Sequence, residues 1–220
     1  MIGYYGGSFD PFHLGHLHAA KVLLEKFDFT RLYFVPAFQN PLKGKTAADN
    51  EARLEMLREG LKEAAEPRFE IIDWEIKNPE KSFTVDTLRK LQETERESIA
   101  LIIGNEVFER FDEWKDPREI LERADLIVIA RTPIDAGFIP PVLERIGLKN
   151  FSDAGNQCFL HSNKSRWIQL QTVSALPFTA TAIREEISKL WKRSHNPNPP
   201  QGIQRSVWQV VKEKQLYAVS

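Results

Sequence analysis

Cysteine is almost missing from this chain: Cys158 is the one example in 220 residues. A lone thiol excludes an internal disulfide framework and any cysteine-rich zinc site, and it fits a reducing compartment, so a cytoplasmic location is expected. Long apolar runs are missing too. The amino end passes from Met1 straight into a short apolar stretch with no basic-then-apolar leader, and no uninterrupted run reaches membrane length. The expectation is a soluble, unexported protein with no membrane partner. An excess of either charge is lacking as well. The 30 Lys plus Arg nearly balance 31 Asp plus Glu, for a formal net charge of −1, which leaves no broad field to hold nucleic acid, so basic groups must act locally. Internal repeats and an interdomain linker are not found either, and the length suits a single medium α/β domain spanning residues 1–220. A homo-oligomer is compatible with this composition.

What is present is concentrated near the amino end. Gly6-Gly7-Ser8-Phe9-Asp10-Pro11 runs into His13-Leu14-Gly15-His16, after an apolar opening from Met1 to Tyr5 and before a helical spacing over Leu17 to Phe27. The opening reads as a short buried strand, and the paired glycines permit a tight turn with close backbone approach. The turn then ends at a helix start, where free N–H groups and the positive end of the helix dipole favour an anion, most often phosphate. His13 and His16 are three residues apart, so a helix beginning near His13 puts both rings on one side of its first turn, able to donate to a single phosphate.

Along the rest of the chain, apolar runs at 32–35, 69–72, 99–103, 126–130 and 168–173 read as buried strands. Amphipathic stretches at 50–65, 85–93 and 118–123 lie between them, the last opened by Asp116 as cap and Pro117 at the first helical position. That alternation predicts an α/β fold, a doubly wound parallel sheet with helices on both faces and ligands beyond the carboxyl ends of the strands. A C-terminal helical part, about residues 179–220, is expected to pack on this domain, with helices over 182–192 and 203–214. Between them, Pro197, Pro199 and Pro200 predict a mobile, non-helical loop over 193–202.

The string from Gly6 to His16 resembles the signature of the adenylyltransferase branch of the nucleotidyltransferase superfamily, with its HxGH element at His13 to His16. Six segments in matching order, among them Tyr33 to Lys45, Ser82 to Leu91, Leu101 to Pro117 and Phe178 to Arg184, resemble the bacterial nicotinate mononucleotide adenylyltransferases. The resemblance implies a Rossmann-like fold and the joining of ATP to nicotinic acid mononucleotide, with release of pyrophosphate and magnesium carried on the ATP. It also implies roles. Gly7, Ser8, Phe9, His13 and His16 would meet the ATP phosphates, with Lys43 approaching from a basic loop, although a lysine beside Gly44 and Lys45 also reads as solvated. Thr181, Ile183 and Arg184 fall on a Ser-Ser-Thr-x-Ile-Arg element at a second helix start and would join the ATP site. His16, His13, Arg184 and Lys43 form the expected catalytic group. Arg131 has two readings, a neighbour of the adenine or a cap of the strand before it.

For the mononucleotide, the resemblance gives Thr84 a backbone contact to the nicotinate carboxylate, Trp114 a stack on the pyridine, and Gly104 and Glu106 the sugar. Two departures stand out: Asn105-Glu106 where the family has Ala-Asp, and Thr179-Ala180 in place of two serines. Rival acceptors are phosphopantetheine and nicotinamide mononucleotide. A non-catalytic nucleotide-binding module is the alternative from another class, and His13, His16, Thr181 and Arg184 argue against it. No protein-held metal is expected.

Overall fold

In the computed structural model, the described residues are 1–38, 46–78, 83–163, 165–174 and 176–218. Among them eight strands form one sheet: β1 Ile2–Gly7, β2 Arg31–Pro36, β3 Phe69–Ile71, β4 Ile99–Gly104, β5 Asp125–Ala130, β6 Phe151–Asp153, β7 Cys158–His161 and β8 Trp167–Thr172. Their spatial order is 3-2-1-4-5-8-7-6. The six strands from β3 to β8 in that order are parallel, and β7 and β6 add an antiparallel edge beyond β8. Strand order reverses between β1 and β4, the switch point beyond whose carboxyl ends α/β sheets bind ligands.

The helices are α1 Leu14–Lys26, α2 Asn50–Ala64, α3 Trp74–Lys77, α4 Thr84–Thr94, α5 Asn105–Phe108, α6 Pro117–Arg123, α7 Ile139–Arg145, α8 Ala180–Arg193 and α9 Arg205–Glu213. Side chains alternate across the pleat, so each central strand feeds two cores. Leu101, Ile103, Leu126 and Val128 pack with Leu88 of α4, Leu121 of α6 and Val142 of α7. Ala100, Ile102 and Ile127 face the other way, toward Leu23 of α1, Met56 of α2, Ile187 of α8 and Val211 of α9. Apolar burial on both faces is why these strands read as continuous hydrophobic runs.

The doubly wound, largely parallel sheet is as expected, with an antiparallel edge added to it, and three other expectations are corrected. β6 and β7 pair antiparallel at an edge where most residues are exposed or half-buried, so the apolar signal was too thin to read. Gly6 and Gly7 belong to β1, opposite Val35 and Pro36, and not to the turn. The left-handed residue of the turn is Phe9, at φ 46°, while a Cβ on Gly7 would lie 2.9 Å from the Phe9 ring. α8 starts earlier than its apolar spacing suggested, at Ala180, because Thr179 caps it, while α1 starts at Leu14 beside its cap His13, as the turn implied. Finally, the proline-rich loop is non-helical as expected but anchored: Pro197 and Pro200 are buried, the Gly202 carbonyl accepts from Leu14 N at 2.8 Å, and Gln204 Nε2 donates to Gly60 O at 2.9 Å.

Gly202 sits at φ +85° with a virtual Cβ 2.5 Å from Phe178 Cγ. Gly202→Ala therefore combines left-handed strain with overpacking and should lower the unfolding free energy by about 2–4 kcal/mol. Urea titration checks this, and a variant within about 0.5 kcal/mol of the parent contradicts the anchoring.

Candidate active site

The amino-terminal turn is held by its own histidines. His13 is the N-cap of α1, with extended backbone at φ −147° and ψ 166°. Its Nδ1 accepts the Gly15 N–H at 3.0 Å, and His16 Nδ1 accepts the His13 N–H at 3.3 Å. This is a capping box made with imidazoles. An Nδ1 that accepts cannot carry the ring proton, so in each neutral ring the proton sits on Nε2. The rings stack with centroids 3.7 Å apart and planes 26° apart. Gly15 is needed here because a Cβ would fall 2.8 Å from the His13 ring.

Behind the pair stands an aromatic wall. His16 lies nearly parallel to Phe12, at 10° and 5.8 Å, and edge-on to Phe9 at 5.1 Å; both phenylalanines are buried. His13 is 3% exposed. Burial, and secondarily the positive field of Arg131, hold its pKa down to about 4, so it is uncharged at neutral pH.

Residues the sequence reading did not single out bolt this turn to the rest of the fold. Arg53 of α2, fully buried, donates to Ser8 O at 2.7 Å, Ala37 O at 2.8 Å and Asn50 Oδ1 at 2.7 Å. The Asp10 carboxylate accepts Ala47 N at 2.7 Å and Tyr217 Oη–H at 2.7 Å, and the Asp10 carbonyl accepts Arg184 Nη1 at 2.6 Å. One trace of this was readable. Arg53 lies on the helical face of Met56, Leu57 and Gly60, an odd place for a cation unless it is paired inside.

A cavity of about 660 Å³ opens over the carboxyl ends of β1, β4 and β5. On the α1 and α8 side it is lined by Gly7, Ser8, Phe9, His13 and His16, with Thr181, Arg184 and Arg131. Thr179 caps α8 by accepting Ala182 N at 3.2 Å, and Thr181 Oγ1 accepts Arg184 Nη2 at 3.3 Å. Arg184 thus joins the starts of α1 and α8. Arg131 makes no hydrogen bond or ion pair among the described residues, and its field reaches His13 and Tyr5.

On the opposite face the lining is Thr84, Gly104, Glu106 and Trp114. Thr84 is the first residue of α4, whose N-cap Phe83 offers no side-chain cap. Trp114 is half-buried and packs on Phe111 at 5.3 Å. A Cβ on Gly104 would meet nothing within 4 Å, so the openness there belongs to the cavity and not to packing. Beneath lies a buried network that also escaped the sequence reading: Tyr4 Oη and Thr87 Oγ1 donate to Glu75, and burial raises Glu75 above the usual carboxylate range.

Ile183 is the predicted residue not brought to the cavity. Its side chain is 2% exposed in the core and its N–H donates to Thr179 O at 3.0 Å. Lys43 lies outside the described residues.

A cavity at the carboxyl ends of the central strands, with imidazole and guanidinium donors at two helix starts facing an aromatic platform, defines a nucleotide-binding α/β enzyme of the nucleotidyltransferase class. Residues 4–188 match the cytidylyltransferase-like family model. Among similar proteins, the probable nicotinate-nucleotide adenylyltransferase of Aquifex aeolicus (strain VF5) is 43% identical over 128 residues, covering 58% of this chain and 75% of that one. Its counterpart in Marinobacter nauticus is 31% identical over 190 residues, covering 84% of each. The chain belongs to the cytidylyltransferase-like family and, within it, to the nicotinate-nucleotide adenylyltransferases. The Plasmodium falciparum nicotinic acid mononucleotide adenylyltransferase complexed with NaAD shares the fold, with TM-score 0.65 at 15% identity over 98% of this chain and 96% of that one.

The His13 shift has a testable sign. The unfolded chain takes up this proton near the ordinary value of about 6.5, whereas the folded chain refuses it until about 4. Stability from neutral His13 is therefore full above that ordinary value and falls as pH drops through the window, by up to about 1.4 kcal/mol per unit. His13→Asn keeps a cap acceptor and should flatten the slope. Unfolding free energies measured from pH of about 7 down to about 4.5 check this, and parallel slopes for the two proteins contradict it.

Proposed function

We propose that this enzyme transfers the adenylyl group of ATP to nicotinic acid mononucleotide, forming nicotinic acid adenine dinucleotide and pyrophosphate, a step of NAD biosynthesis. The observation that carries the reading is the imidazole pair, two Nε2–H donors fixed by backbone acceptance at Nδ1 at the edge of a cavity reaching Thr84 and Trp114.

A phosphate oxygen of the mononucleotide attacks the α-phosphorus of ATP in line. The new oxygen–phosphorus bond forms as the bond to the β-phosphate bridging oxygen breaks, and that electron pair leaves on pyrophosphate. The nucleophile is already an anion, so no proton need be removed and no covalent enzyme intermediate arises. The work left to the protein is to bring like charges together, align them and stabilise the departing oxygens. Alignment supplies about 7–11 kcal/mol in favourable cases, and one well-aimed donor about 2.7–4 kcal/mol.

His13, His16, Thr181 and Arg184 take the triphosphate, with Arg131 beside it, and Lys43 is proposed as a further partner on its basic side chain alone. Neutral Nε2–H groups suit this task because they donate without having to lose a proton. Trp114 supplies a face for the pyridine, the amides at the start of α4 around Thr84 face its carboxyl group, and Gly104 and Glu106 take the ribose. Among the described residues no group of three or more His, Cys, Asp or Glu could hold a metal ion, and the Asp10 carboxylate is already engaged. Magnesium therefore fits as an ion carried by the triphosphate oxygens, where it offsets their charge. The chain acts as one catalytic unit, and the cytoplasm suits its single thiol.

Pyrophosphate release with ATP and magnesium should occur with nicotinic acid mononucleotide and far less with phosphopantetheine; the reverse order overturns the acceptor. His16→Asn, which preserves a cap acceptor, should lower kcat by about 10²–10³ with an unchanged unfolding midpoint, and turnover at the parent rate removes His16 from the chemistry. Trp114→Ala should raise KM for the mononucleotide and leave that for ATP in place. A rise confined to ATP would put the pyridine elsewhere.

A further inference from the structure

The acceptor side of the cavity holds a cation that the sequence reading did not assign. Lys115 follows Trp114 directly and lines the cavity with Phe83, Thr84 and Trp114. Its ammonium lies 4.8 Å over the Phe83 ring and 3.0 Å from Asp86 Oδ2, which fixes it above the first turn of α4. Asp86 does not neutralise it alone, because the same carboxylate also takes Arg89 Nη1 at 2.6 Å. Arg89 in turn bridges to Glu119, so the carboxylate serves an extended surface network. The other lining guanidiniums act on the histidine side: Arg184 through Asp10 and Thr181, and Arg131 through its field on His13. Among the described lining residues, Lys115 is the ammonium beside the aromatic platform.

We infer that the Lys115 side chain sharpens this enzyme's selection of an acidic over an amidated pyridine mononucleotide. The inference rests on the acceptor reading above and deepens it. The acid and the amide have the same ring, ribose and phosphate, and differ at one substituent by one negative charge. Backbone N–H groups at the start of α4 also favour the carboxylate, through charge-assisted bonds and the positive helix end, but they carry only partial charge. An ammonium discriminates more sharply. It donates to either carboxylate oxygen with charge assistance, whereas the amide offers one oxygen and an NH₂ that faces the cation as a second donor. The Phe83 ring and Asp86 hold the long side chain in place before the ligand arrives, which reduces the entropy lost on binding. Lys115 is thus a specificity-determining side chain, while Trp114 supplies the platform common to both acceptors.

The test compares the wild-type protein with Lys115→Gln and Lys115→Arg, using calorimetric titration and kcat/KM for nicotinic acid mononucleotide and for its amide. In Lys115→Gln the acid-to-amide preference should fall by about tenfold, the scale of one charge-assisted hydrogen bond, and the loss should lie in KM for the acid. KM for ATP and the unfolding midpoint should stay where they are, and the acid-to-amide ratio is the readout that a merely structural ion pair with Asp86 would not move. Lys115→Arg should keep most of the preference. A preference in Lys115→Gln within about twofold of wild type, or a wild type that binds acid and amide equally, overturns the inference. Pyrophosphate release with phosphopantetheine but with neither mononucleotide overturns the acceptor reading itself, and this inference with it.

Discussion

The structure turns on a reciprocal bond between two imidazoles and the backbone that carries them. His13 Nδ1 takes the Gly15 amide and His16 Nδ1 takes the His13 amide. One arrangement therefore satisfies helix amides that would otherwise lack partners, sets the tautomer of both rings and aligns their Nε2–H groups. Each neighbouring feature serves this arrangement. Glycine at position 15 leaves room for the His13 ring, Phe12 lies flat against His16, and burial keeps His13 from taking a charge that would displace the Gly15 amide.

Local bonds alone would not hold such a turn open toward a triphosphate, and long-range ties complete it. Arg53 gathers the Ser8 and Ala37 carbonyls, joining the ends of β1 and β2. Asp10 ties the turn to Ala47 and, across the whole chain, to Tyr217, while Arg184 reaches its carbonyl from α8. Gly202 closes the start of α1. The carboxyl-terminal segments are therefore tied into the turn proposed to hold phosphate. Because the central strands bury both faces, the cavity at their carboxyl ends runs from one core to the other, with the histidines and Arg184 on one side and Trp114 on the opposite side.

Much of this was legible in the sequence, for reasons that also mark where legibility stops. β4 and β5 announced themselves because two-sided burial demands unbroken apolar runs. The histidine turn was plain because its residue types and spacing are local. The start of α1 near His13 was legible from the turn, whereas the return of the His13 ring to the Gly15 amide was not, because histidine is not a usual cap. The glycines at 6 and 7 pointed to a turn when their task is to lie in a strand beside the Phe9 ring. Ile183 stood inside a recognisable element, yet at its place on α8 it faces the core. Asp10, Arg53, Glu75 and Tyr217 act through partners as far as 207 positions away in the chain, a distance that no periodicity encodes. The β6–β7 hairpin, mostly solvated, carried little pattern to read.

The central claim is the protonation pattern of the pair, and nitrogen-15 NMR of the imidazole rings at neutral pH reads it directly. The account predicts that His13 and His16 are both neutral, with the proton on Nε2 and a pyridine-like Nδ1. A proton on Nδ1 of either ring in the folded protein would contradict it, because the amide of Gly15 or of His13 would then face a donor and the phosphate cradle would lose its geometry.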